Sequence, residues 1–416
     1  MTSGNPRPSA LARAFNLGGR AMQEAGVPYP SLEPEALLAS AIRRAGLEDF
    51  GDEAFREPFH RLVESLARES ELTPFGQIAA RRDLVRVLSN KLRMTEDRRR
   101  HPEIAEGPVP RPIFITGMPR TGTTFLHGLL AQDPASRSPL AWETMYPSPP
   151  PQRSRYKSDR RIEMAHRQMR WLYRIIPEFR RIHAVDARLP QECLVITTHS
   201  FLSFQPQTTH FVPSYQTWLE EQDLRSSYAV HRQFLEHLQW RCPGERWVLK
   251  APAHIFGFEE LFDVYPDALV VMTHRAPLEV VGSLGSLTSV LRSAFSDTVD
   301  PVRVGPEMTE RWSRGLDRAL QARDSGRVPA GQILDVDYGE LTRDPIGTAR
   351  RIYRSFDIPF TPAADQAMTE FLGQNRKDRH GRHEYTLAQF GLDAETEAAR
   401  YKAYAERFHL ACGLSE

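Results

Sequence analysis

Cysteine is scarce in this sequence, and its three residues lie far apart. Cys193, Cys242 and Cys412 have no spacing typical of a metal site, and an odd, scattered set does not form a disulfide framework. Such frameworks belong mainly to proteins of oxidising compartments. We therefore expect a cytoplasmic protein without a bound metal.

Long apolar runs are also lacking. No uninterrupted apolar stretch approaches the ~18 residues that indicate a transmembrane helix. Residues 1–16 contain no apolar core of signal-peptide length. We expect neither a transmembrane segment nor a secretory leader.

An excess of charge of one sign is nearly absent, because 54 basic residues face 53 acidic ones and the formal net charge is +1. This balance gives no bulk electrostatic attraction to nucleic acid or to a membrane. The arginine clusters near residues 81–100 lack the interleaved aromatic residues of a nucleic-acid surface. We expect no nucleic-acid partner.

The most informative stretch that is present runs from a strand through a glycine turn into a helix. Residues 113–116 are mainly β-branched or aromatic, which favours a strand. Gly117 and Gly122 allow backbone angles that other residues avoid. Thr123 and Thr124 then fall at a helix N-terminus, whose free N–H groups bind anions. The stretch predicts a phosphate or sulfate site.

The spacing distinguishes this turn from that of a nucleotide kinase. In the G-x-x-x-x-G-K-[ST] motif a lysine follows the second glycine directly. Here Gly117 and Gly122 have that spacing, but Thr123 stands at the position of the lysine. The positively charged residue lies within the loop instead, as Arg120, and Thr121 follows it. A kinase that uses Asp337 as its metal ligand remains an alternative, and so does a non-enzymatic nucleotide-binding module.

The rest of the chain predicts an α/β protein with an all-helical N-terminal region. Residues 1–108 show helical periodicity and no strand pattern. From residue 109 on, strands alternate with helices, which indicates a parallel sheet covered by helices on both faces. We predict a helical insert at about 144–240, with a helix over 192–204 and an irregular segment over 211–218. The further strands are expected at 246–250, 268–273 and 333–336.

Polar residues cluster where the predicted strands end. Residues 117–124, 250–254, 274–275 and 337–338 each follow a strand. In parallel α/β sheets, ligands bind outside the carboxyl ends of the strands. We therefore expect these four segments to form one site.

A basic loop near the C-terminus is a further candidate for binding phosphate. Residues 375–383 are densely basic in a protein that is otherwise nearly neutral. We predict a phosphate clamp whose members are Lys377, His380, Gly381 and Arg382.

Taken in order, these motifs resemble those of the PAPS-dependent sulfotransferases, in particular bacterial stand-alone enzymes with a helical N-terminal extension. Residues 112–124 are similar to the 5′-phosphosulfate loop, and residues 270–277 with Ser283 to the strand and helix that bind the 3′-phosphate. Residues 334–341 and the basic loop at 377–383 resemble later parts of the same fold. The resemblance implies a P-loop-like fold and sulfuryl transfer from 3′-phosphoadenosine 5′-phosphosulfate (PAPS) to an acceptor hydroxyl, without metal.

The resemblance also implies roles for individual residues. Arg120, Gly122, Thr123 and Thr124 map onto the 5′-phosphosulfate site, and Arg275 and Ser283 onto the 3′-phosphate site. Many relatives have lysine at the position of Arg120, and arginine offers a fork instead of a point charge. Lys250 is similar to the lysine that relatives place beside the transferring group.

Sulfuryl transfer to a hydroxyl needs a general base within hydrogen-bond reach. We favour Glu143, since several sulfotransferase branches place a carboxylate in that region. His199 and His254 are the alternatives. The insert at 144–240 is rich in aromatic residues and prolines, which suggests a pocket for a small hydrophobic alcohol. The helical N-terminal region is expected to pack on the catalytic core or to form a homodimer contact.

Overall fold

The computed structural model describes residues 9–27, 29–175, 186–374 and 386–411. The predicted clamp residues Lys377, His380, Gly381 and Arg382 lie outside these ranges.

Helices form the N-terminal region, as the periodicity predicts. They are α1 (Ala10–Glu24), α2 (Pro34–Ala45), α3 (Arg56–Glu69) and α4 (Pro74–Arg100). The start of α4 is set locally, because the Thr73 side chain accepts a hydrogen bond from the Gly76 N–H at 3.1 Å and proline occupies the first helical position.

Five parallel strands form the central sheet, in the order β2-β3-β1-β4-β5. β1 (Ile113–Gly117) lies in the middle and is buried along its whole length, as is β4 (Leu269–His274). β3 (Arg246–Lys250) and β5 (Ile333–Asp337) match the predicted strands closely. The sequence pattern did not predict β2 (Ser136–Arg137), a two-residue edge strand too short to have a recognisable periodicity.

Helices cover both faces of this sheet, and successive residues of β1 point to opposite faces. Ile113 and Ile115 pack into one apolar cluster, whereas Phe114 packs into another. The remaining helices are α5 (Thr123–Leu130), α6 (Ala141–Met145), α7 (Arg160–Ile175), α8 (Cys193–Thr197), α9 (Gln205–Thr209), α10 (Pro213–Glu220), α11 (Arg225–Gln239), α12 (Phe258–Val264), α13 (Pro277–Ser293), α14 (Pro301–Asp324), α15 (Tyr338–Arg343), α16 (Pro345–Ser355), α17 (Pro362–Gln374), α18 (Ala394–Arg400) and α19 (Lys402–Arg407).

Two predictions for the insert were wrong. The segment 211–218 is not irregular, because α10 begins at Pro213, where a first-turn proline starts the helix instead of breaking it. The helix predicted over 192–204 is shorter. α8 ends at Thr197, a 3₁₀ turn follows at Thr198–Ser200, and Phe201 then takes a positive φ of 58°.

The N-terminal helices share an apolar core with the sheet domain. One continuous cluster contains Phe55 and Phe59 of the N-terminal region, Phe201 of the insert and Phe114 of β1. The Phe59 and Phe201 rings are 5.0 Å apart between centroids. The division at residue 108 therefore stays a prediction about sequence organisation. No helix in the described ranges is long and apolar enough to cross a membrane.

Candidate active site

The glycine turn joins β1 to α5 in a conformation that excludes larger side chains. Gly122 has a φ of +90°, and a Cβ there would lie 3.0 Å from carbon atoms of Tyr338 and Leu341. The Thr121 hydroxyl donates to the Met118 carbonyl at 2.7 Å. Thr121 therefore holds the turn in shape from inside, while the missing Cβ at Gly122 lets Tyr338 and Leu341 pack closely against the turn.

The N-terminus of α5 is suited to an anion. Gly122 is its N-cap and supplies no side-chain acceptor for the first N–H groups, which leaves them available to bind a negatively charged ligand. Thr123 is buried, whereas Thr124 is exposed at the start of the helix. Of the two threonines, Thr124 presents its hydroxyl to the sheet end.

Lys250, the last residue of β3, reaches the same place. Its side chain is 2% exposed, and its Nζ lies 3.2 Å from the Thr124 Oγ1. The same ammonium forms an ion pair with Glu192. Lys250 therefore connects the glycine turn with a carboxylate from the insert.

Sequence reasoning missed Glu192. It precedes α8 as the N-cap residue, and its position looked like an ordinary acidic helix start. The sequence offered one signal for a carboxylate here, which was the position of Lys250 at a strand end. A lysine buried there needs a carboxylate partner.

The structure brings the two predicted cofactor half-sites into contact. The Arg120 Nε donates to the Ser283 Oγ at 3.1 Å, and Arg275 donates to the Arg120 carbonyl at 3.2 Å. The Arg275 guanidinium lies 4.3 Å from the centre of the Tyr338 ring and pairs with Glu279 at 2.9 Å. Two arginines and a serine thus form one polar cluster beside the glycine turn.

Glu143 is a fully buried residue whose two carboxylate oxygens are both engaged. One carboxylate oxygen pairs with Arg137 at 2.5 Å, and the other accepts bonds from the Leu140 N–H at 2.9 Å and the Tyr156 hydroxyl at 3.1 Å. Glu143 is 0% exposed, so every contact gives it a structural role at the start of α6. Its role as the general base stays a prediction that these contacts do not favour.

His199 is also engaged on both ring nitrogens. Its Nδ1 donates to the Ile196 carbonyl at 3.0 Å, and its Nε2 lies 3.3 Å from the Asn90 amide nitrogen. Burial and the nearby Arg86 lower the pKa of His199 to about 4. His199 joins α4 to the turn after α8. Its contacts therefore favour a structural role in the core over a role as the general base.

His254 follows Lys250 by four residues and lies beneath the site. Its Nδ1 is 2.9 Å from the Tyr228 hydroxyl, and its Nε2 is buried without a partner in the described structure. Burial, together with His231 and Lys250, holds its pKa well below the usual range. A narrow cavity of about 30 Å³ adjoins it, lined mainly by apolar residues, including Cys193, Leu194, Leu202, Phe204, Leu224 and Tyr228.

In the part of the chain that the structure describes, no group of three or more His, Cys, Asp and Glu side chains could hold a metal ion.

Comparison with known proteins adds three findings. Residues 112–362 match the family model described as "Sulfotransferase family". The chain is similar to the omega-hydroxy-beta-dihydromenaquinone-9 sulfotransferase Stf3 of Mycobacterium tuberculosis and of Mycobacterium bovis. In each case the identity is 23% over 294 residues, which cover 67% of this chain and 71% of the relative.

Two crystal structures are similar over nearly the whole chain. The sulfotransferase STF1 of Mycobacterium tuberculosis H37Rv superposes with a TM-score of 0.80 at 34% identity, over 89% of this chain and 98% of that one. The sulfotransferase STF9 of Mycobacterium avium has a TM-score of 0.83 at 30% identity, over 92% and 98%.

Proposed function

The chain belongs to the sulfotransferase family, and on that premise we propose that it transfers the sulfuryl group of PAPS to a hydroxyl of a small hydrophobic acceptor. The contact between Arg120 and Ser283 beside the glycine turn is the observation that carries the choice of donor. PAPS has a 5′-phosphosulfate and a separate 3′-phosphate, and a site for it needs two neighbouring anion-binding groups. The α5 N-terminus supplies one, and the cluster of Arg120, Arg275 and Ser283 supplies the other.

The residues present fit such a donor. The first N–H groups of α5 have no side-chain cap, so the phosphosulfate would lie against these groups and Thr124. When bound, PAPS supplies an activated sulfuryl group. Lys250, held at Thr124, offers a positive charge where negative charge grows during an in-line displacement.

We assign the proton-accepting role to Glu192. Its carboxylate contacts Lys250, whose ammonium also reaches Thr124. A base must lie within hydrogen-bond reach of the acceptor hydroxyl, and the acceptor must approach the same threonine end of the turn. Glu192 is partly exposed, with 22% of its side chain accessible, whereas Glu143 is completely buried.

The proposed acceptor is an apolar alcohol. The narrow cavity beside His254 is lined mainly by apolar side chains of α8, α11 and the connecting segments. At about 30 Å³ it has room for about one small group, so it supports an apolar end of the acceptor and not a pocket for a whole hydrocarbon chain. The name of the Mycobacterium relatives describes a hydroxylated isoprenoid quinone as their substrate, which supports testing acceptors of that class first.

Cys193 and Cys242 are free and buried, which supports the proposal that the protein works in the reducing cytoplasm.

A ligand-binding experiment tests the choice of donor against the kinase alternative. We expect 3′-phosphoadenosine 5′-phosphate to raise the melting temperature of the full chain, because a ligand that binds only the folded state stabilises it by mass action. ATP with magnesium should leave the melting temperature unchanged. If ATP with magnesium raised the melting temperature, 3′-phosphoadenosine 5′-phosphate did not, and the protein hydrolysed ATP, the protein would be a kinase-like enzyme instead.

A further inference from the structure

Two helices that the catalytic site does not use present apolar side chains to solvent. On α1, Leu11, Phe15 and Met22 follow each other at intervals of four and seven residues and are 56%, 44% and 49% exposed. On α7, Met164 and Trp171 are seven residues apart and 37% and 42% exposed. Spacings of four and seven place residues on one helix face, so each helix carries a single exposed apolar row.

The two rows belong to one surface. Phe75 of α4 contacts both, because its ring centroid lies 6.1 Å from that of Phe15 and 5.8 Å from that of Trp171. Five of the nine exposed large hydrophobic side chains in the described ranges lie on these two rows. Clustering of this kind marks an interaction surface, whereas single exposed apolar residues do not.

Arginines accompany the apolar row on α7. Arg160, Arg167 and Arg174 are exposed and also repeat every seven residues, so they form a second row beside Met164 and Trp171. None of the three has an ion-pair partner within the described residues. A basic row next to an apolar row of Trp and Met, on a helix of sixteen residues, is typical of helices that lie in a membrane interface.

We propose that this surface, the α1–α7 face, docks on a lipid bilayer that carries anionic headgroups. The face consists of Leu11, Phe15, Met22, Met164, Trp171, Arg160, Arg167 and Arg174. The chain as a whole has a net charge of +1, so the attraction comes from the local arrangement of the arginines and not from the bulk charge. A second copy of the chain fits the face less well, because a two-fold contact would bring the same arginine rows together.

The proposal is independent of the chemistry at the glycine turn and is tested by binding alone. We expect the full-length protein to sediment with phosphatidylcholine vesicles that contain phosphatidylglycerol and to stay in solution with phosphatidylcholine alone. The triple variant R160Q/R167Q/R174Q should bind the anionic vesicles on the order of 100-fold more weakly, because each basic residue near such a surface adds to the attraction.

A matched triple variant separates this face from a general effect of charge. Arg343, Arg350 and Arg354 are exposed on α15 and α16, and R343Q/R350Q/R354Q removes the same three charges. That variant should bind like the wild type. If both triple variants lost the same amount of vesicle binding, the proposal would be overturned, because binding would then depend on net charge and not on this face.

Leucine variants on one helix test the apolar contribution. Leu11→Gln should weaken binding about tenfold. Leu17→Gln, on the same helix but about 120° away around its axis, should not, although Leu17 is 68% exposed. Wild-type protein that ignores anionic vesicles would refute the proposal. So would a concentration-dependent dimer that Leu11→Gln abolishes while vesicle binding is unchanged.

Discussion

Two glutamates show how neighbouring contacts decide the chemistry open to a residue. Glu143 and Glu192 have the same carboxylate, and each lies near the start of a short helix. Glu143 is fully buried and is saturated by Arg137, Tyr156 and a backbone N–H. Glu192 faces Lys250 at the end of β3. Only the second arrangement leaves a carboxylate at the edge of the proposed anion site.

The contrast gives a prediction for two matched variants. Glu192→Gln should lower turnover by about 10²–10⁴-fold, the usual contribution of a general base, with little change in affinity for 3′-phosphoadenosine 5′-phosphate. Glu143→Gln should instead lower the free energy of unfolding by about 3–5 kcal/mol, because it removes the charged partner of the buried Arg137. Steady-state kinetics, nucleotide titration and urea unfolding of both variants distinguish the roles.

The opposite result for the two variants would assign the general base to Glu143. Loss of turnover in Glu143→Gln at unchanged stability and nucleotide affinity, together with normal turnover in Glu192→Gln, contradicts our assignment. His254→Asn serves as a further comparison, since His254 lines the cavity and contacts the Tyr228 hydroxyl through its Nδ1.

At the scale of elements, α3 and α4 belong to the core of the sheet domain. Phe55 and Phe59 pack on Phe201 of the insert, with ring centroids 5.9 and 5.0 Å away. The His199 ring lies 3.3 Å from the Asn90 amide of α4. α1 contributes much less, since its buried residues are Ala12, Asn16 and Gly19 alone. The N-terminal helices therefore differ in how much the rest of the fold depends on them.

Truncation should reveal this difference. A fragment of residues 109–416 is expected to lack a cooperative thermal transition, because it exposes the apolar surface that α2, α3 and α4 cover. A fragment that begins at residue 31 lacks only α1 of the described helices and should melt cooperatively. Circular dichroism during heating distinguishes the two. A cooperative transition in the shorter fragment, with retained sulfotransfer, would make residues 1–108 dispensable.

At the scale of the whole molecule, buried neutral histidines dominate the response to acid. In the described ranges, burial is the main cause that lowers the pKa of seven histidines. The pKa falls to about 3 for His127, His231 and His237, to about 4 for His199 and His210, and below the usual range for His254 and His274. The five whose pKa falls to about 3 or 4 stay uncharged in the folded protein at pH 5 to 6.5, where an unfolded chain would bind protons.

The sign of the pH dependence follows from that difference. Between pH 6.5 and 5 the unfolded chain binds more protons than the folded one, so the free energy of unfolding should fall with pH by about 1.4 kcal/mol per pH unit for each such histidine. Urea unfolding from pH 7.5 to 5 measures the slope. His231→Phe should flatten it, whereas a change at the exposed His60 should not. A stability that is constant over this range would contradict the prediction.

The strand, glycine turn and helix that form the proposed anion site were determined locally and could be predicted from sequence. The β-branched run of β1, the glycines at 117 and 122 and the capped helix starts depend on conformational preferences of a few adjacent residues. Parallel strands bring their carboxyl ends to one edge, so the sequence alone was enough to place Lys250 and Arg275 near the turn.

Only the tertiary structure decided which polar groups meet. Lys250 and Glu192 are separated by 58 residues, and no local pattern distinguishes Glu192 from Glu143. Glu143 pairs with Arg137, which lies in β2. The two residues of β2 form a strand only because β3 lies beside them. Backbone preference acts over a few residues, whereas the pairing and burial of charges depend on which distant segments pack together.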